Sequence, residues 1–249
     1  MANILRVKLP EGVQRFKPFT VADYRDLLLI RNDIVSKPEE ESQIIDEVLE
    51  EFFPEQPKVY RGFIFMNVFT GSIGKTKIPL EYTCPVCEKK HKMLLNLSKP
   101  ELKEPSIECA GIKLNFKLQD EITEDYDKIF LKAIDSVEYE GQKYSWDELD
   151  EDDKNQVIES ITYDKFQEIL EKLRPIHIER TISCCNQYKL LIDSPISLFK
   201  LLLNPDEIFI FYRTNRSLNR AGYSNDDLMK LMPIERNIII GMIEKEKDV

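Results

Sequence analysis

Histidine is almost missing from this chain: only His91 and His177 occur in 249 residues. General acid–base and nucleophilic catalysis draw on histidine most often. No serine or cysteine sits in a local nucleophile signature such as G-x-S-x-G, so the sequence argues against a classical hydrolase. Carboxylate pairs stay open, because spatial neighbours cannot be read from sequence. Long apolar runs are missing too: none approaches the roughly 18 to 20 residues of a membrane-spanning helix. The opening Met1-Ala2-Asn3-Ile4-Leu5-Arg6 lacks the apolar stretch of an export signal, which predicts a cytoplasmic protein. Glycine is scarce, at 8 residues, and no stretch is rich in Pro, Gly or Ser, so no linker is predicted.

Bulky apolar side chains and charge are plentiful. The chain is 42% hydrophobic with 13 Phe and 10 Tyr, enough to fill a substantial core. Its net charge of −10 disfavours broad contact with phosphate backbones, so nucleic acid is not an expected partner. The acidic run Asp147-Glu148-Leu149-Asp150-Glu151-Asp152-Asp153 lacks the turn glycine and terminal bidentate Glu of a calcium loop and reads as a solvated helix start. Arg213, Arg216 and Arg220 make a modest basic stripe. A solvated helix face is its commoner meaning, and a docking surface for an acidic partner the sharper one.

The five cysteines carry the most information. With no export signal they point to reduced thiols or metal ligands rather than a disulfide framework. Cys84-Pro85-Val86-Cys87 has the two-residue spacing with which a tight turn grips one metal ion, and Cys184-Cys185 supplies a second pair downstream. A structural zinc held by Cys84, Cys87, Cys184 and Cys185 is one reading; a metal-free pair of hairpins whose thiols simply pack is the other. Adjacent residues on a strand point to opposite faces, so the alternatives to four thiols are a shell completed by His91 or His177, or one spare cysteine. A loose internal echo, Glu81 to Cys87 followed by Lys92 to Leu97 against Glu179 to Cys185 followed by Lys189 to Ile192, suits two hairpins sharing one ion. Cys109 reads as a strand-packing thiol. Gly71-Ser72-Ile73-Gly74-Lys75-Thr76 imitates the end of a phosphate-binding loop, but Phe69 stands where the first glycine belongs and Pro79 forbids the helix that should follow.

Periodicity places these motifs. Thr20-Val21-Ala22-Asp23 is a capping box opening a helix over 20–34, and the stripe Ile44, Ile45, Val48, Leu49, Phe52, Phe53 predicts a second. The block 60–69 is nearly all apolar and is read as a helix. Residues 77–83 and 92–97 flank the first cysteine turn as strands, 107–118 alternates as a strand, and 126–137 returns to helical spacing. Glu140-Gly141 predicts a turn, and Ser145-Trp146-Asp147-Glu148 a further capping box. Two helices are expected to meet near Thr162. Beyond 196, the sequence reads as helices, with the block Ile208-Phe209-Ile210-Phe211-Tyr212 expected to be buried. The fold class is therefore α+β: a predominantly helical single domain with a small, zinc-ribbon-like layer of cysteine-knuckle hairpins. Its regions are helical over 1–75, the Cys-knuckle β region over 76–120, helical with a short hairpin over 121–176, the second Cys hairpin over 177–195, and helical over 196–249.

This order of elements resembles the baseplate hub assembly proteins of T-even-type tailed phages. The likeness rests on Phe19-Thr20-Val21-Ala22-Asp23-Tyr24-Arg25-Asp26-Leu27-Leu28, the Cys84-Pro85-Val86-Cys87 hairpin ending in Asn96-Leu97, and the segment Val137 to Trp146. It continues through Leu173-Arg174-Pro175 into the second cysteine hairpin, then Leu198-Phe199, Tyr223-Ser224-x-x-Asp227-Leu228 and Pro233-Ile234-Glu235-Arg236. The adjacent Cys184-Cys185 departs from the spaced second pair of the family. The resemblance implies a non-enzymatic factor that binds baseplate hub proteins transiently in the infected host's cytoplasm and leaves the finished tail. The alternatives are a permanent structural subunit of the hub and, less in keeping with the residues, a metal-dependent enzyme. Apolar clusters such as Phe63-Ile64-Phe65-Met66 and 208–212 would pack the core or hold a hub subunit.

Overall fold

Helix α3, Lys58–Ile73, is the element around which the others are arranged. The computed structural model describes residues 4–99, 101–119 and 126–247. In α3 the side chains of Phe63, Ile64, Phe65, Met66 and Val68 are all fully buried, as a helix apolar on every side must be. The expectation of a helix for the ambiguous 60–69 block is met. Phe63 to Met66 are therefore core and not an exposed binding cluster.

The N-terminal region departs from the helical expectation. Strands β1, Leu5–Leu9, and β2, Gly12–Phe16, form an antiparallel hairpin with Leu9 paired to Gly12. The cause is period-2 alternation: Val7 and Leu9 are buried while Arg6 and Lys8 face water, around a turn at Pro10-Glu11. Helix α1, Val21–Ser36, follows with the capping box as expected: the Thr20 hydroxyl accepts from the Asp23 N–H, and the Asp23 carboxylate accepts from the Thr20 N–H at 2.7 Å. A 3₁₀ turn over Pro38–Glu40 leads into α2, Glu41–Phe52. Phe19 sits among Phe52, Phe53, Phe65 and Phe69 with ring centroids 4.8 to 6.5 Å away, and its backbone N–H donates to the buried Ser72 hydroxyl at 2.8 Å.

The first cysteine hairpin pairs β3, Lys77–Thr83, with β4, Lys90–Asn96. Next, 107–118 is two strands where one was expected: β5, Ser106–Cys109, and β6, Ile112–Phe116. The break falls at Ala110-Gly111, both at positive φ (48° and 79°), a two-residue turn of the primed type. The 126–137 stretch is likewise divided. Helix α4, Tyr126–Ala133, stops early and Ile134–Tyr139 becomes β7, because Ile134, Ser136 and Val137 are taken into a meander ordered β5-β6-β7 with β8, Gln142–Ser145. Glu140 and Gly141 make the expected turn at φ 50° and 79°. The capping box at Ser145 is not realised: Trp146–Glu148 is a short 3₁₀ turn with no side-chain cap. Instead Asp150 caps α5, Glu151–Glu159, accepting from the Asp153 N–H at 2.8 Å. Thr162 caps α6, Tyr163–Lys172, so two helices do meet there.

The second cysteine hairpin pairs β9, Ile178–Ser183, with β10, Gln187–Ile192. Helices α7, Pro195–Leu202, α8, Glu207–Arg220, α9, Asn225–Lys230, and α10, Pro233–Lys247, complete the described chain. Phe199 of α7 stacks on Phe65 at 4.5 Å, and the Val21 N–H donates to the Leu231 carbonyl at 2.7 Å, tying the start of the helical body to its end. The fold is thus mixed helix and sheet with a helical majority. Among the described residues its β-structure, a four-stranded meander and three two-stranded hairpins, is larger than the small layer expected.

Candidate metal centre

Both cysteine pairs sit in the turns of their hairpins, past the last paired residues. After the Thr83–Lys90 pair, the first turn is closed by the Cys84 N–H donating to the Lys89 carbonyl and the Glu88 N–H donating to the Cys84 carbonyl, each at 2.9 Å. Glu88 adopts φ 56° to complete it. The second turn is tighter: the Cys184 N–H donates to the Asn186 carbonyl at 3.0 Å beyond the Ser183–Gln187 pair. The two hairpins meet through Tyr82 and Tyr188, whose rings lie 5.3 Å apart.

This contact brings four sulfurs together. The Sγ atoms of Cys84, Cys87, Cys184 and Cys185 all lie within 4.8 Å of one another, with Cys87 and Cys184 at 3.5 Å. A tetrahedron with zinc–sulfur bonds of about 2.3 Å has sulfur–sulfur edges of about 3.8 Å, so the spacing suits one such ion. The alternation that would separate adjacent cysteines does not apply, because 184–186 is a bend and not strand. Both Cys184 and Cys185 therefore join. Neither histidine belongs to the cluster. His91 is paired with Tyr82 across β3 and β4, and His177 precedes β9; each has one buried ring nitrogen without a partner among the described residues.

The thiols differ in how readily each gives up its proton. Backbone N–H groups of Cys87 and then Val86 hold Cys84 down to about 6. The hydrogen bond with Cys87, burial and the neighbouring Cys84 push Cys185 up to about 12, and Cys184 is raised chiefly by the same Cys87 contact. The Cys84 thiolate is thus favoured, while Cys184 and Cys185 hold their protons more tightly than free thiols. A divalent cation reverses that balance by rewarding every deprotonation. The donor set fits a soft, closed, structural site.

The remaining sequence candidates resolve into structural roles. Gly74 is the left-handed C-cap of α3, at φ 68°, so the phosphate-loop imitation presents a helix C-terminus instead of the N-terminal amides an anion requires. Cys109 lies half-buried at the end of β5 with its Sγ 3.7 Å from the Ser160 hydroxyl. The 208–212 block is not a buried block. Ile208 and Phe211 are buried, whereas Phe209, Ile210 and Tyr212 are 75%, 52% and 54% exposed. Ile208 and Phe211, three residues apart, share one helix face, and a run of five apolar letters carries no periodicity that would single that face out.

Residues 1–200 match the family described as T4 bacteriophage base plate protein. The chain belongs to that family. Residues 202–248 match a second description, Baseplate hub assembly protein Gp51 C-terminal domain. No curated protein and no solved structure matches the chain. The boundary between the two matches falls at the end of α7, so all four clustered cysteines lie in the base plate portion, and α8 to α10 lie in the hub assembly portion. A role in baseplate assembly, with baseplate proteins as partners, follows for this family member. Among the described residues no helix is long and apolar enough to cross a membrane.

Sequence reasoning missed a polar cluster beneath α8. The Tyr24 hydroxyl donates to the Glu207 carboxylate at 2.5 Å, and the Arg236 guanidinium lies 4.6 Å from the Phe211 ring centre while donating to the Asn215 side-chain oxygen at 3.1 Å. Nothing local marks these residues; only their burial joins them.

Proposed function

We propose that this protein promotes assembly of the baseplate hub by binding hub subunits transiently, without bond chemistry and without remaining in the finished particle. The observation that carries the reading is the match of residues 202–248 to a hub assembly domain. The exposed Phe209, Ile210 and Tyr212 in that region support it, since apolar side chains left in water by a chain with a well-filled core suit temporary contact with another protein. Release requires modest affinity and a fast off-rate. Such work takes place in the infected host's cytoplasm, where hub subunits are made.

The thiol cluster supports the non-enzymatic part. Four sulfurs closing on one zinc leave no open coordination position for substrate or water, so the ion would pin the β3–β4 and β9–β10 hairpins together. One reading competes: a permanent structural subunit, which the base plate description of residues 1–200 favours. The two separate in one experiment. Co-expression with the phage hub subunits should yield a complex in pulldown, and mass spectrometry of purified particles should find this chain absent; stoichiometric presence would establish the structural reading. Elemental analysis of the purified protein, expected to give one zinc per chain, tests the metal.

A further inference from the structure

Helix α10 is apolar on more sides than the fold covers. Ile234, Ile238, Ile239, Ile240, Met242 and Ile243 run around its axis, a pattern that belongs in an interior, yet of its side chains described only Pro233 and Arg236 are buried. Ile238 and Met242, one turn apart, are each 58% exposed. On α8, Phe209, Ile210 and Tyr212 are left in water, and Arg213, Arg216 and Arg220 follow along the helix, all three exposed. None of these arginines is ion-paired with a described residue. Between the helices runs a groove of about 460 Å³ whose walls include Arg213, Arg220, Thr214 and Ile240, with Glu244 the carboxylate there. It continues past Thr214 and Ile240 to Arg236.

Arg236 gives the groove its chemistry. It is only 7% exposed, its Nε has no partner among the described residues, and its guanidinium is satisfied by an amide oxygen and a ring face with no described carboxylate in ion-pair reach. A buried guanidinium without a counter-charge is costly. Arg213, Arg220 and Arg236 thus line one groove beside Ile240 and Ile243, in a chain whose net charge is −10. Resting on the assembly reading above, we propose that the α8–α10 groove receives an acidic amphipathic helix of a baseplate hub subunit, whose apolar side meets Ile210, Ile240 and Ile243 and whose carboxylates meet Arg213, Arg220 and Arg236. Helix-in-groove binding has this form: apolar anchors spaced by turns and flanking charge that sets orientation and encounter rate. A second copy is the poorer occupant, since two such chains repel through their net charge. Nucleic acid is disfavoured by the same field.

The test uses the full-length protein co-expressed with hub subunits and captured at low and high salt. The triple variant R213E/R216E/R220E changes only exposed side chains, and circular dichroism melts check its fold. R6E/R15E/K17E, on and beside the N-terminal hairpin, is the charge-matched control. The wild type should capture a hub subunit, less at high salt, with the α8 variant weakened about tenfold or more and the control unchanged. Equal capture by the α8 variant, or equal loss by the control, overturns the groove and leaves the assembly reading standing. A wild type that captures no hub subunit overturns both. A wild-type dimer dissociated by the α8 variant, or a labelled DNA shifted by the wild type alone, overturns the acidic-helix occupant.

Discussion

The sulfurs of Cys87 and Cys184 lie 3.5 Å apart although 97 positions separate them in the chain. Each belongs to a two-stranded hairpin, and such hairpins are marginal alone. One ion held by all four sulfurs would make each the support of the other, and closure of so long a loop would constrain the unfolded chain strongly.

Metal removal should therefore unfold this part first. Cys87→Ser and Cys185→Ser are each expected to lose most of the bound zinc in elemental analysis and to lower the melting midpoint by about 10 °C or more, at roughly 2–4 °C per kcal/mol for a chain of this size. A strong chelator should do the same to the wild type and leave the serine variants unmoved. Cys185→Ser decides between three and four sulfur ligands: full zinc with an unchanged midpoint would remove Cys185 from the shell.

Gly74 ends α3 in the left-handed region, at φ 68°, and a Cβ there would overlap the side chain of Ile234 at the start of α10. Both effects act on the folded state. Gly74→Ala should cost about 2 kcal/mol in denaturant unfolding, above the ordinary cost of about 1 kcal/mol for losing a left-handed glycine cap. Gly141→Ala, at φ 79° with open space around it, isolates the conformational part. Equal losses at the two sites would mean that Ile234 simply moves aside.

Two phenylalanines that look alike in sequence should behave oppositely. Phe65 is fully buried and stacked on Phe199 at 4.5 Å, so Phe65→Ala should destabilise by about 3–5 kcal/mol. Phe209 is 75% exposed, and Phe209→Ala should stay within about 0.5 kcal/mol. Urea titration of both variants checks this. A large loss at 209 would show that the apolar block is packed after all.

What the sequence disclosed follows from how local each signal is. The Thr20 box, the Glu140-Gly141 turn, the helix at 60–69 and both cysteine hairpins were legible because caps, turns and composition act over a few residues. The 5–16 hairpin was written in the alternation of Val7 and Leu9 but was absorbed into a region read as helical. Ile134 to Val137 continued a helical spacing and still became strand, since pairing with β6 is a tertiary choice that spacing does not encode. The metal centre was legible as four thiols; that both adjacent cysteines turn inward depended on the bend at 184–186. Arg236 over Phe211 left no local trace at all.

Alkaline pH offers a reading of the Tyr24–Glu207 pair. Burial first, then the hydrogen bond to the Glu207 carboxylate and its negative charge, raise the Tyr24 hydroxyl well above its ordinary value, with the nearby Arg236 charge opposing. The folded state therefore keeps this proton at a pH where the unfolded chain gives it up. A raised folded value contributes stability that is fully present below the unfolded value, about 10 for tyrosine, and is lost as pH rises beyond it. Wild-type stability should accordingly fall from pH about 10 upward. Tyr24→Phe should start lower by about 1 kcal/mol at neutral pH, because Glu207 loses its donor, and should then decline less steeply. Denaturant midpoints for the two proteins, compared across that range, should converge. Parallel curves would mean that Tyr24 releases its proton as readily in the folded protein as in the unfolded one, and that the short contact to Glu207 does not hold it.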